Sequence, residues 1–152
     1  MFFLSEYGIA LFFYYIGGYV MITNGMIGTY KVLVSDENTA KTMKSGSLDV
    51  FATPSLVAIM EAAAVEAIKN ELSDAETSVG CFISTSHLAP SIIGNEIVAK
   101  AEVTEANGRQ IKFKIMAFDG ETIIGEGEHS RVIVDKEKFM SKAMKRRNDD
   151  AK

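Results

Sequence analysis

The 152-residue chain has one cysteine, two histidines and no excess of basic residues, and each shortage removes a class of function. Cys81 has no second thiol to pair with, so an intramolecular disulfide is excluded and nothing calls for an oxidising compartment. Two histidines and one cysteine, without CxxC or HExxH spacing, leave no zinc site, and the chain reads as metal-free with no bound cofactor. A formal net charge of −4 and a pI near 5.2 supply no overall positive field for a phosphate polymer, which argues against a nucleic-acid partner. Long apolar runs are missing too. Ile9 to Thr23, IALFFYYIGGYVMIT, carries no charge but falls short of the ~20 apolar residues a membrane span requires. Only Glu6 precedes it where a signal peptide would carry Lys or Arg. Residues 1–25 are therefore read as an apolar extension outside the domain, ahead of a start at Met21 or Met26. A membrane-surface or partner-binding appendage is the competing reading. The remainder is expected to be cytoplasmic.

What is present fits one globular domain, with 47% hydrophobic and 24% charged residues. Met26 to Val34 is rich in Ile, Tyr and Val and predicts a strand, and the polar stretch Ser35 to Asp49 predicts a loop. Thr53-Pro54 predicts a helix start, with the threonine hydroxyl as cap and proline where its missing N–H costs nothing. From Pro54 to Ile68 the only polar residues are Ser55, Glu61 and Glu66, so this helix should be buried nearly all round. Four strands follow, at Ser78 to Leu88, Glu96 to Thr104, Gln110 to Phe118 and Thr122 to Val134. Asn107-Gly108 and Asp119-Gly120 suit tight hairpin turns, so the last three strands should form an antiparallel meander. The domain spans 26–140, and 141–152 is a charged, solvated tail. One strand, one buried helix and four strands is the element order of the α+β hotdog fold, a curved antiparallel sheet wrapped around one long central helix. A helix this apolar needs more cover than one such sheet offers, so a homodimer sharing a continuous sheet is expected.

Three residues sit oddly in this pattern. Glu61 shares a helical face with Val57, Val65 and Ile68, which sets a carboxylate in an apolar stripe. It is either a structural carboxylate, snorkelling or paired across an interface, or a functional one. His87 ends a strand whose alternation Val79, Cys81, Ile83, Thr85, His87 runs from apolar to polar, at the point where a core face opens into a loop. A satisfied structural histidine would look the same, and Thr53 is already explained as a helix cap. On the last strand Ile123, Gly125, Gly127, His129, Arg131 and Ile133 alternate onto one face; Arg131 suits either an anionic ligand or a strand-edge ion pair.

The segments FATPSLVAIMEAAAVEAI, SVGCFISTSHLAPSIIG, NGRQIKFKIMAFDG and IGEGEHSRVIVDKEKF together resemble the fluoroacetyl-CoA thioesterase family of hotdog proteins, from about Tyr30 to Phe139. The resemblance implies an enzyme that hydrolyses a small acyl-CoA to free acid and CoA. It implies catalytic roles for Thr53, Glu61 and His87, contact of the Gly80 backbone with the thioester, and a position near the ligand for Arg131. Lys41 and Lys44 are candidates to meet the phosphates of coenzyme A. The run Lys44 to Val50 has no aromatic, so fluoroacetyl specificity does not follow. Two other readings compete: a non-catalytic acyl-CoA or small-ligand binding module, and a hotdog dehydratase acting on 3-hydroxyacyl thioesters.

Overall fold

The structure is a computed structural model and describes residues 21–150; most of the apolar extension, residues 1–20, lies outside it. Its elements are β1 (Ile27–Leu33), α1 (Thr53–Ile68), β2 (Glu76–His87), β3 (Glu96–Asn107), β4 (Gln110–Asp119), β5 (Thr122–Asp135) and α2 (Lys136–Asp150), with short 3-10 turns at Asp36–Asn38 and Lys69–Glu71. The strands form one antiparallel sheet in the order β1-β3-β4-β5-β2. β3, β4 and β5 are the expected meander. Gly108 and Gly120 take φ of 60° and 58° in its hairpins, a conformation that costs glycine least.

The core forms where α1 lies on the sheet. Leu56, Ile59, Met60, Ala63, Ala64 and Ile68 are buried against Ile97, Ala99, Ala101 and Val103 of β3 and Ile111, Phe113, Ile115 and Ala117 of β4. The buried strand residues alternate with less buried ones, among them Lys100, Glu102, Lys112 and Lys114, as the two-residue period requires. Because α1 touches β1, β2, β3 and β4, the sheet must curl around it. Ile22 packs against this core and Gly25 N–H donates to the Val103 carbonyl at 2.8 Å, so tertiary contacts begin before β1.

Burial of α1 is one-sided, against expectation. Val65 is exposed, Val57 and Glu61 are half-buried, and Thr53, Pro54 and Ala58 are open. These residues form one continuous stripe along the helix. A helix apolar on every side gives no signal of which side meets the sheet, so the pattern of Val57, Glu61, Val65 and Ile68 did not mark the core face. α2 continues directly from β5, its first turn held by Asp135 Oδ1 accepting from Lys138 N–H at 2.9 Å, and none of its residues is buried. Among the described residues no helix is long and apolar enough to cross a membrane.

Candidate active site

Thr53 is the first residue of α1, not its cap. Ala52 occupies the capping position and makes no side-chain bond to the helix end. The Thr53 hydroxyl instead meets His87 Nδ1 at 2.8 Å, joining the start of α1 to the end of β2 across 34 positions. Burial lowers the His87 pKa from its ordinary value, with the Ala89 backbone opposing the shift, so the imidazole is neutral near pH 7. Its Nε2 is buried and has no hydrogen-bond partner among the described residues. A neutral imidazole against an alkanol is the contact a base makes with the group it activates.

The pair faces a cavity of about 300 Å³ walled by Ala40, Ser45, Val50, Phe51, Leu88, Ala89 and Pro90. Two loops build it. Ala40 N–H donates to Val50 C=O at 2.8 Å, Phe51 N–H donates to Ser91 C=O at 2.9 Å, and Val50 is bridged to Ile92. A larger groove, about 710 Å³, crosses β2, β5 and β4 past Phe82, Lys112, Lys114, Glu126 and Glu128, and holds no such nucleophile–base contact.

Glu61 belongs to a second cluster. Arg131 is 6% exposed, and its guanidinium donates from Nε to Ser78 Oγ at 2.8 Å, from Nη2 to Ser78 C=O at 2.9 Å and from Nη1 to Glu61 Oε2 at 3.2 Å. Burial lowers the Arg131 pKa and the Glu61 carboxylate pulls it back; an arginine stays charged throughout. Most of its donors are committed inside the protein, so Arg131 fixes Glu61. Glu61 itself is 39% exposed, with one side on the arginine and the other on the open stripe of α1.

His129 completes this cluster, and no role for it was drawn from the sequence. It is 1% exposed, lies 6.0 Å from the Phe113 ring in a stacked arrangement, and sits 3.1 Å from Arg131 Nη1 through Nε2. Its Nδ1 lies 2.7 Å from the Phe82 carbonyl, which can only accept, so Nδ1 carries the proton and Nε2 accepts from Arg131. Burial lowers its pKa, and the Arg131 charge lowers it further, against the Phe82 carbonyl and Glu61. The 3.9 Å approach of Nε2 to Glu61 is therefore not an ion pair of the neutral ring. The legible sign was its place between Gly127 and Arg131 on an inward face.

Gly80 explains itself by exclusion. A Cβ there would stand 2.7 Å from Glu61 Oε2 and 3.2 Å from His129 Cε1, so any side chain would displace the carboxylate. Just beyond it β2 slips register against β5: Gly80 pairs with Arg131 and Phe82 with Ser130, leaving Cys81 as a bulge. The bulge reverses the strand's parity. Ser78 and Gly80 face inward before it, and Ile83, Thr85 and His87 do so after it, which removes Val79 from the face first assigned to it.

The five residues thus fall into two groups. Thr53 and His87 form one; Glu61, Arg131 and Gly80 form the other. Thr53 and Glu61 are eight residues apart on one helix, about 12 Å along its axis, beyond hydrogen-bond reach within a protomer.

The antiparallel sheet curled around one long helix defines the fold as the hotdog, and the solved structures it superposes on include acyl-CoA thioesterases of that fold. Comparison narrows it. Residues 34–137 match the model of the fluoroacetyl-CoA-specific thioesterase family, FlK, and the chain belongs to that family. It is 36% identical over 94 residues to a fluoroacetyl-CoA thioesterase of Streptantibioticus cattleyicolor, covering 62% of this chain and 68% of that protein. A solved variant of the fluoroacetyl-CoA thioesterase in complex with acetyl-CoA superposes with a TM-score of 0.77 at 29% identity, over 82% of this chain and 98% of the other. A Thermus thermophilus thioesterase superfamily member superposes with a TM-score of 0.75 at 26% identity, over 86% and 96%.

Proposed function

We propose that the protein hydrolyses acyl-CoA thioesters to free acid and CoA at a site shared by two protomers, Thr53 and His87 from one and Glu61 from the other. The observation that carries this is the 2.8 Å contact between Thr53 Oγ1 and a neutral His87, beside an open cavity. His87 Nδ1 takes a proton either from the Thr53 hydroxyl or from a water that Thr53 holds. The oxygen so activated adds to the thioester carbonyl, the C–S bond breaks, and the imidazolium returns the proton to the departing thiolate; where that oxygen is Thr53 Oγ1, a water deprotonated by the same imidazole then adds to the acyl-threonine, and the ester bond breaks to release the acid and restore the hydroxyl. Backbone N–H groups at the amino end of α1, together with that of the partner subunit's Gly80, which lies beside Glu61, polarise the carbonyl. Side chains and backbone carry every step, so no metal or cofactor is required. Lys41 and Lys44, exposed on the loop that bears Ala40 and Ser45, offer positive charge to the phosphates of CoA.

The need for a partner follows from the stripe on α1. A two-fold axis passing beside Val57 would pair two such helices antiparallel and set position 53 of one opposite position 61 of the other. Glu61 of the partner subunit would then reach the Thr53–His87 pair. The free edge of β2, with exposed Phe82, lies beside the same stripe and would extend the sheet across the interface.

In a thiol-release assay, His87→Ala and Glu61→Gln should each lower kcat about a hundredfold while the protein stays folded. Near-normal turnover in both would remove the assignment. The two routes separate by mass spectrometry: a Thr53→Ser variant that accumulates an acylated protein marks attack by the side chain, and its absence during steady turnover marks attack by water.

A further inference from the structure

The open cavity beside Thr53 and His87 is larger than a two-carbon acyl group fills. At about 300 Å³ it holds about ten water-sized groups of roughly 30 Å³ each, whereas a fluoroacetyl group adds only fluorine to two carbons and an oxygen. No charged side chain lines it; Ser45 is the one polar residue besides the catalytic pair. Residues on the wall or next to it along the backbone continue in the same character. Leu88, a wall residue, is more than half exposed; Leu48, two residues before the wall residue Val50, is 68% exposed; Ile92, bridged to Val50, is 64% exposed. Exposed aliphatic side chains on and next to the wall of a reactive cavity favour an apolar occupant. The pantetheine arm of CoA does not meet that requirement, because its amides need hydrogen-bond partners that leucine and isoleucine lack.

We infer that this cavity and its rim of Leu48, Leu88 and Ile92 form a subsite for an apolar acyl group of about six to eight carbons, the size that fills the cavity and reaches the rim. The inference rests on the thioesterase reading and names the substrate class of that site. It excludes dicarboxylic acyl groups, whose free carboxylate would be buried without a partner.

The test is thiol release from acetyl-, fluoroacetyl-, butyryl-, hexanoyl-, octanoyl- and succinyl-CoA by the full-length protein. kcat/KM should rise about two- to fourfold per added methylene from acetyl to hexanoyl or octanoyl, the range for partial to full burial of each group. Succinyl-CoA should fall at least tenfold below butyryl-CoA. In a Leu48→Gln/Ile92→Gln variant, altered only at exposed positions, the octanoyl-to-acetyl ratio of kcat/KM should drop at least fivefold; Leu88→Ser, made separately, should lower the same ratio. A profile that is flat, or highest at acetyl or fluoroacetyl, overturns the subsite and leaves the hydrolase intact. An unchanged ratio in both variants overturns the rim. Failure to release thiol from any member overturns the thioesterase reading, and the subsite with it.

Discussion

Protonation at two histidines, His129 buried and His87 half-buried, sets the pH limits of this protein. His87 must be neutral to accept a proton, and burial holds its pKa below the ordinary 6.5. The acid limb of kcat/KM should therefore have its midpoint below pH 6.5 and a slope of one proton, with activity level through neutrality. A midpoint near or above 7 would place the working base elsewhere. His129 acts on stability. Its pKa is lowered in the fold, so below about pH 6.5 the unfolded chain binds a proton that the folded one does not. Stability is complete above pH 6.5 and falls as the pH drops through the folded-state value. Urea midpoints between pH 7.5 and 5 should decline for this reason, and less steeply in His129→Gln; an equal decline would assign the effect to other groups. What the sequence disclosed at this scale was uneven. Glu61 drew notice as a carboxylate among apolar neighbours, but its tie to Arg131, 70 residues away, had no local sign. Thr53 was masked by Pro54, since a threonine before a helix-opening proline already has a sufficient explanation as a cap.

At the scale of elements, two glycines separate fold from chemistry. At Gly28 a Cβ would stand 2.2 Å from both Ala63 O and Ala67 N, where β1 crosses α1 backbone against side. Neither backbone can yield cheaply, so Gly28→Ala should cost about 3 kcal/mol in denaturant unfolding while the molecules that remain folded keep their kcat. Gly80→Ala should behave oppositely. Its nearest conflict is the carboxylate end of the Glu61 side chain and not a backbone, so the fold should persist with a change in stability within about 1 kcal/mol. Moving the carboxylate should lower kcat about tenfold to a hundredfold. Equal effects of the two substitutions on kcat would contradict the separation. The strands and the hairpin turns were readable because alternation and Asn-Gly or Asp-Gly pairs are local signals. The Cys81 bulge was not, because Phe82, Ser84 and Ser86 leave both faces of β2 mixed in polarity and a one-residue slip changes no local preference. The orientation of α1 was hidden for the reverse reason: alanine and valine on every side fit either packing.

For the molecule as a whole, the proposed sharing of the site would leave a single protomer an incomplete catalyst, and subunit mixing distinguishes this from a site complete within one chain. His87→Ala and Glu61→Gln proteins should each be nearly inactive alone. In a mixed dimer one of the two sites inherits both substitutions. The other combines His87 of the Glu61→Gln protomer with the intact Glu61 of its partner and is of wild-type composition. Random exchange of equal amounts makes half of the dimers mixed, so the recovered rate should approach about a quarter of the wild-type rate. Recovery should appear only after co-expression, or after unfolding and refolding together, and should be absent when the two proteins are mixed without exchange. If Thr53, His87 and Glu61 act within one protomer, no combination restores an intact set and the rate stays at the sum of the two variants. Recovery near a quarter requires that the chain work as a two-fold assembly, with the carboxylate held by Arg131 in one protomer serving the hydroxyl–imidazole pair of the other.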